Sequence, residues 1–235
     1  MRVAIVSDIH GNRTAFEAVL ADLRETAPDL VLHGGDLALG GANPAEIVDR
    51  IRDLGWGGVL GNVDEMLPHP AAFAEFAREL PQLEALWKQI EETAAATRDR
   101  LGHRRMAWLG SLPRVVTLEK IALVHASPGT TWQAPAVESS DADFEAAYGS
   151  LGKPLVVYGH IHRPFVRRVG EMTVANSGSV SLSYDGDWRA AYLLVDDGRP
   201  EIRRVAYDVE REMKAIADSG IPHAACVVSG KTVSR

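Results

Sequence analysis

Side chains able to hold a metal recur along this chain at the ends of short apolar runs. Arg2-Val3-Ala4-Ile5-Val6 leads into Asp8 and His10, and Leu30-Val31-Leu32 leads through His33-Gly34-Gly35 into Asp36. Val59-Leu60 precedes Asn62 and Asp64, Ile121 to Val124 precedes His125, and Leu155-Val156-Val157-Tyr158 precedes His160 and His162. Taken singly, each is read as easily as a turn former or a satisfied polar group. Taken together, carboxylates and imidazoles converging on one edge are costly to desolvate without a compensating cation. Two divalent ions sharing a carboxylate remove that cost. A mixed Asp, Asn and His donor set suits Mn, Fe, Zn, Ni or Co better than Ca or Mg.

Such residues need strands and crossovers to bring them together. Apolar β-branched runs alternate with helical spacing: Phe16, Val19, Leu20 and Leu23 make one face, with Thr14 and Glu17 as its capping box, and Ile47, Ile51 and Leu54 another behind Asn43-Pro44. The β-α-β-α-β order implies a parallel sheet, whose C-terminal edge is where ligands sit. Residues 65–112 break the rhythm with helical periodicity at Leu83, Leu86, Trp87 and Ile90, read as a helical cap insertion over that edge. A hairpin about Glu119-Lys120 follows, then a short helix from Asp143 to Leu151. Strands from Phe165 to Ala206 suggest a second, more antiparallel sheet, and a last helix carries Val209, Met213 and Ile216.

Composition bounds the function. The 235 residues, 46% hydrophobic and 24% charged, suffice for one domain with an insertion. A net charge of −7 and a pI near 5.6 argue against a nucleic-acid polymer as ligand. Arg104-Arg105, Arg167-Arg168 and Arg203-Arg204 read as solvated faces. One cysteine, Cys226, fits a reducing compartment and reads as a buried or incidental thiol. No run approaches the roughly 18 apolar residues of a membrane span, and nothing resembles a leader, so a cytoplasmic protein is expected. The sequence carries no signal for an oligomeric state.

Asp8-x-His10, Gly35-Asp36, Gly61-Asn62-x-Asp64, His125 and Gly159-His160-x-His162 resemble, in order, the motifs of the calcineurin-like metallophosphoesterases. Asn176-Ser177-Gly178-Ser179 is similar to that family's Asn-Pro-Gly-Ser turn, with serine for proline. The layout looks most like the small bacterial and archaeal phosphodiesterase-type members, some relatives of which hydrolyse dinucleoside polyphosphates. The resemblance implies a four-layer α/β/β/α sandwich of two mixed sheets around two divalent ions, with Mn or Fe favoured by family habit. Asp8, His10, Asp36 and His162 would hold the first ion. Asp36 would bridge, and Asn62, His125 and His160 would complete the second site. A metal-bridging hydroxide would then attack phosphorus in line, while the Asn62 amide NH2 donates to the phosphate.

One departure bears on substrate. Where many members carry the histidine that protonates the leaving group, this chain has Val63. Poor alkoxide leaving groups suffer most from that loss, so phosphodiesters and phosphoanhydrides, nucleotides among them, are expected before monoesters. Phosphomonoesterase or protein phosphatase activity is the alternative within the enzyme class; a metal-binding scaffold without turnover is the alternative outside it. Asp64 is expected to support a metal-bound histidine and Asn12 to touch substrate phosphate; Arg163 reads equally as a phosphate contact or a surface ion pair, and His33 as structural or as a support behind a ligand. Trp132 and Tyr184 are loop aromatics able to stack on a base.

Overall fold

The computed structural model describes residues 1–224, and Cys226 lies outside them. The chain opens with β1 (Arg2–Val6), α1 (Arg13–Thr26), β2 (Leu30–His33), α2 (Pro44–Asp53) and β3 (Gly57–Gly58). β1 runs parallel to β2, and β2 to β3. The third strand falls on the two glycines before Val59 because a Cβ at Gly58 would collide with the His33 ring; only glycine lets the strands close there. Phe16, Val19, Leu20 and Leu23 form the buried face of α1. Its cap is Asn12 and not Thr14, since Asn12 Oδ1 accepts the Ala15 N–H at 2.9 Å. The helix begins where the loop from His10 re-enters, which puts Asn12 at the cap position.

Next come α3 (Asn62–Met66), α4 (Pro70–Glu79) and α5 (Glu84–Gly110), the last broken at Gly102, where φ is 64° and ψ 169°. Leu67, Phe73, Ala94, Leu101 and Leu109 join the same core as α1 and α2. This helical stretch therefore continues the layer of helices on the outer face of the first sheet. The second half supplies β4 (Val115–Thr117), β5 (Ile121–Val124), α6 (Asp141–Tyr148), β6 (Leu155–Tyr158), β7 (Phe165–Val169), β8 (Met172–Asn176), β9 (Ala190–Asp196), β10 (Arg199–Val205) and α7 (Val209–Ser219). Ser140 and Asp143 form a reciprocal capping box that starts α6 earlier than expected.

The strands after Phe165 do not form one sheet. β7 and β8 complete a sheet of order β4-β5-β6-β8-β7, whereas β9 and β10 return to the first, of order β10-β9-β1-β2-β3. Ala190 to Val195 are all buried, and a strand apolar on both faces belongs inside a sheet covered on both sides. It pairs antiparallel with β1.

Period-two alternation then sorts the layers. Val3, Ile5, Leu32, Leu123, Val157 and Leu193 meet between the sheets. Ala4 and Val6 turn to the α1 and α2 side, and Val124 and Val156 turn to Phe144 and Tyr148 of α6. The result is an α/β/β/α sandwich of two mixed sheets. Burying a side chain of this size contributes roughly 1.5–3 kcal/mol, and that packing is what holds the strand ends in register.

Candidate metal centre

The ends of β1, β2, β5 and β6 converge. Past the strands the backbone keeps its ladder: Asp8 N–H donates to Gly35 O at 3.0 Å, His10 N–H to Asp36 O at 2.9 Å, and Gly159 N–H to His125 O at 3.0 Å. The turn after β8 braces the same loops, with Ser179 Oγ donating to Asp8 O at 2.8 Å. Asp8, His10, Asp36, His160 and His162 all have φ between 49° and 65°. For non-glycine residues this left-handed region costs of order 1–2 kcal/mol each. Strain concentrated on the residues that carry the donors marks a site that the sandwich was built to hold. Gly61 serves the same end: a Cβ there would strike the Asp36 carboxylate.

Four donors, from Asp8, His10, Asp36 and His162, lie within 4.8 Å of one another, all buried. His162 Nε2 is 3.0 Å from Asp8 Oδ1, and His10 Nε2 is 3.7 Å from Asp36 Oδ2. The other oxygen of Asp36, Oδ1, lies 3.4 Å from His125 Nε2. Asn62, first residue of α3, sets its Oδ1 2.9 Å from His125 Nε2 and 3.0 Å from His160 Nδ1. Asp36 thus stands between two groups of candidate donors.

The imidazoles are oriented by backbone carbonyls. Nδ1 of His10, His162 and His125 lies 2.8 Å from the oxygens of Leu39, Leu182 and Gly34, respectively. Nδ1–H donation leaves each Nε2 turned inward. His10 and His162 then face each other, Nε2 to Nε2, at 3.3 Å. Two lone pairs cannot share that space without a proton or a cation between them.

The electrostatics agree. Burial raises Asp36, but the imidazolium charge of His125 outweighs it and holds the carboxyl well below its usual range. Asp8 is likewise lowered, burial being overcome by His162. Burial penalises a charged His125, yet Asp36 and Asp8 lift its pKa to about 9. His10 is lowered by burial, and His160 is pushed down to about 4, chiefly by burial and then by the charge of His125. The carboxylates draw a proton onto a fully buried ring at neutral pH. A divalent cation supplies the same charge, so the donor set fits one.

The remaining expected residues take other posts. Asp64 does not reach a histidine; both its oxygens accept the Leu37 N–H, at 3.0 and 3.1 Å, bracing the segment after Asp36. Burial together with the Asp36 charge raises its pKa to about 7. Asn12 is fully buried, capping α1 and donating to Ser181 Oγ at 3.2 Å, so its amide does not face a substrate. Arg163 pairs with Glu138 at 2.8 Å on the surface. In the arginine pairs, Arg105, Arg167, Arg203 and Arg204 all make ion pairs, and no basic stripe forms among the described residues. His33 is buried, and neither ring nitrogen has a hydrogen-bond partner among the described residues. Trp132 closes onto Phe76 at 4.9 Å and donates to Glu65, whereas Tyr184 lies on the His162 ring.

Two supporting side chains escaped sequence reasoning. Ser7 Oγ donates to Asp8 Oδ2 at 2.5 Å. Glu65, one turn past Asn62, accepts from Arg114 at 2.6 Å, Thr131 Oγ1 at 2.5 Å and Trp132 Nε1 at 3.2 Å. Neither residue belongs to a motif. The only signal was adjacency to one.

Residues 1–198 match the calcineurin-like phosphoesterase superfamily domain. The uncharacterized protein MJ0912 of Methanocaldococcus jannaschii is 28% identical over 94% of this chain and 93% of its own. A metallophosphoesterase structure from Sphaerobacter thermophilus superposes with a TM-score of 0.78 at 25% identity, covering 97% of this chain and 98% of that one. The hypothetical protein PH1004 from Pyrococcus horikoshii OT3 shares the fold with a TM-score of 0.80 at 20% identity, over 97% and 96% of the two chains. Sequence match and architecture lead to one conclusion: the chain belongs to the calcineurin-like phosphoesterase superfamily.

Proposed function

We propose that the protein is a dinuclear-metal phosphoesterase that hydrolyses phosphodiester or phosphoanhydride bonds in a small phosphorylated substrate. Superfamily membership supports a hydrolase that works with divalent metal ions. The observation carrying the finer reading is the division of Asp36, whose Oδ2 faces His10 while its Oδ1 faces His125. Asp8, His10, Asp36 and His162 would hold one ion; Asp36, Asn62, His125 and His160 would hold the other. Mn or Fe is proposed, with Zn, Ni and Co compatible with the same donors. Bound there, two divalent ions supply Lewis acidity toward phosphoryl oxygens and lower the pKa of water.

The chain's own contribution is positioning. With its Oδ1 turned to the two histidines, Asn62 has an NH2 free to donate to a phosphoryl oxygen. Val63 gives its backbone N–H to Asp36 Oδ1 at 3.1 Å, and its side chain has no proton to give a leaving group. Substrates whose leaving group is already a weak base, such as aryl or nucleotidyl diesters and anhydrides, need that proton least.

The test is hydrolysis of bis(p-nitrophenyl) phosphate by metal-stripped protein with Mn added back, beside an Asp36→Asn variant, with bound metal measured in both. Mn should restore cleavage in the wild type, and the variant should lose both cleavage and the two-ion stoichiometry. A wild type that binds two ions yet cleaves neither this diester, p-nitrophenyl phosphate nor a dinucleoside polyphosphate would be a metal-holding scaffold.

A further inference from the structure

Tyr184 has no task in the reading above. Its ring stacks on that of His162, centroids 4.8 Å apart and planes at 22°, and its backbone N–H donates to His162 O at 3.0 Å. Even so, 46% of the residue is exposed. One face of the ring rests on a proposed metal ligand, and nearly half of the residue stays exposed beside it.

The loop that carries it is braced. Ser183 Oγ and Asp187 N–H both donate to Asp185 Oδ1, at 2.7 and 3.1 Å. Arg204, in β10, donates to Ser183 Oγ at 2.9 Å and forms an ion pair with Asp185. The ring is therefore placed before a ligand arrives, which reduces the ordering cost of binding. Trp132, the other loop aromatic, shows the opposite arrangement: its ring lies on Phe76 and its N–H is taken by Glu65.

We infer that Tyr184 is a stacking platform for a planar ring carried on the substrate's phosphate, a nucleobase in the first instance. This rests on the phosphoesterase reading and extends it from the bond cleaved to the group attached. Base–aromatic stacking tolerates any base because every base has a π-face. Such a platform separates base-bearing from base-free phosphates and does not choose among bases.

The experiment is calorimetric titration of the full, Mn-loaded protein with adenosine 5′-monophosphate and with ribose 5-phosphate, which share sugar and phosphate. The nucleotide should bind roughly tenfold more tightly in the wild type. Tyr184→Leu should bring it down to the affinity of ribose 5-phosphate without changing the latter, while Tyr184→Phe retains the advantage. Trp188→Ala, which removes an exposed aromatic of the same loop that packs beside Tyr207, should also retain it. Equal affinities in the wild type, an advantage surviving Tyr184→Leu, a Tyr184→Leu loss shared by both ligands, or a loss caused equally by Trp188→Ala each overturn the platform. Hydrolysis of bis(p-nitrophenyl) phosphate, p-nitrophenyl phosphate and a dinucleoside polyphosphate on the same samples reads the activity separately. Base preference without turnover would refute the phosphoesterase reading and leave the platform standing; turnover without base preference would do the reverse.

Discussion

The pocket of Asp8, His10 and His162 and the pocket of Asn62, His125 and His160 share Asp36 but are held differently. In the first, both imidazoles are buried and each is pinned through Nδ1 to a backbone carbonyl, Leu39 or Leu182. In the second, only His125 has such an anchor, at Gly34. Asn62 and His160 are half-buried and rest on each other, Oδ1 to Nδ1, at 3.0 Å. The first pocket is thus fixed before any ion enters, and the second is completed by what enters it. A pre-organised donor set loses less freedom on binding, so the first pocket should load at lower metal concentration. The second, where Asn62 and His160 keep part of their surface exposed, is the side on which a phosphate can arrive.

Removing what the pockets share gives the largest effect. Asp36→Ala should cost roughly 10³-fold or more in kcat/KM, the several kcal/mol expected of metal catalysis, and should abolish two-ion binding by metal analysis. The pockets are then separated by their own histidines. His162→Ala should remove the tighter phase of a Mn titration. His160→Ala should keep that phase and weaken the other by roughly 10–100-fold, with activity recovered at high Mn. If the two variants behave alike, the pockets are equivalent.

Glu65 sharpens the contrast at smaller scale. Its carboxylate ties α3, which begins with Asn62, to Thr131 and Trp132 beyond His125 and to Arg114. Glu65→Gln keeps the size and loses the charge, so it should cost roughly 1–2 kcal/mol in urea unfolding. It should also weaken the second phase of the Mn titration by a few-fold and leave the first alone. Equal weakening of both phases would detach Glu65 from the second pocket.

The candidate donors were legible because each lies within a few residues of an apolar run, so strand and donor are written close together; Asn62 is the exception in detail, since Val59-Leu60 follows β3 and does not form it. Partnerships across the chain were not. β9 reads like any other strand; its place beside β1, far away in sequence, follows from burial on both faces, which depends on the α1 side and on the second sheet together. Asn12 and Thr14 are both good caps, and the path of the loop from His10 chose between them. Asp64 could reach a histidine or a backbone amide, and in the fold its oxygens take the Leu37 N–H. Trp132 and Tyr184 looked alike as loop aromatics. Phe76 and Glu65 cover one, whereas the other stacks on His162 and stays 46% exposed.

The last contrast sets the anchored imidazoles against one without an anchor. His33 ends β2, and neither of its ring nitrogens has a partner among the described residues. Trp108 is its aromatic neighbour, ring centroids 6.1 Å apart. Burial alone pushes its pKa down to about 3, whereas the unfolded chain would titrate near 6.5. As pH falls, the unfolded state therefore takes up this proton first. The stability His33 permits is intact above about pH 6.5 and declines from there toward pH 3, at about 1.4 kcal/mol per unit once titration of the unfolded state is complete. His33→Leu removes that proton and two unsatisfied polar atoms. In urea unfolding of metal-stripped protein, going from pH 7.5 to pH 5.5 should cost the wild type about 1.4 kcal/mol more than the variant. An equal loss in both proteins would mean that the ring titrates in the fold as it does in water, and that the fold does not shut it away from solvent.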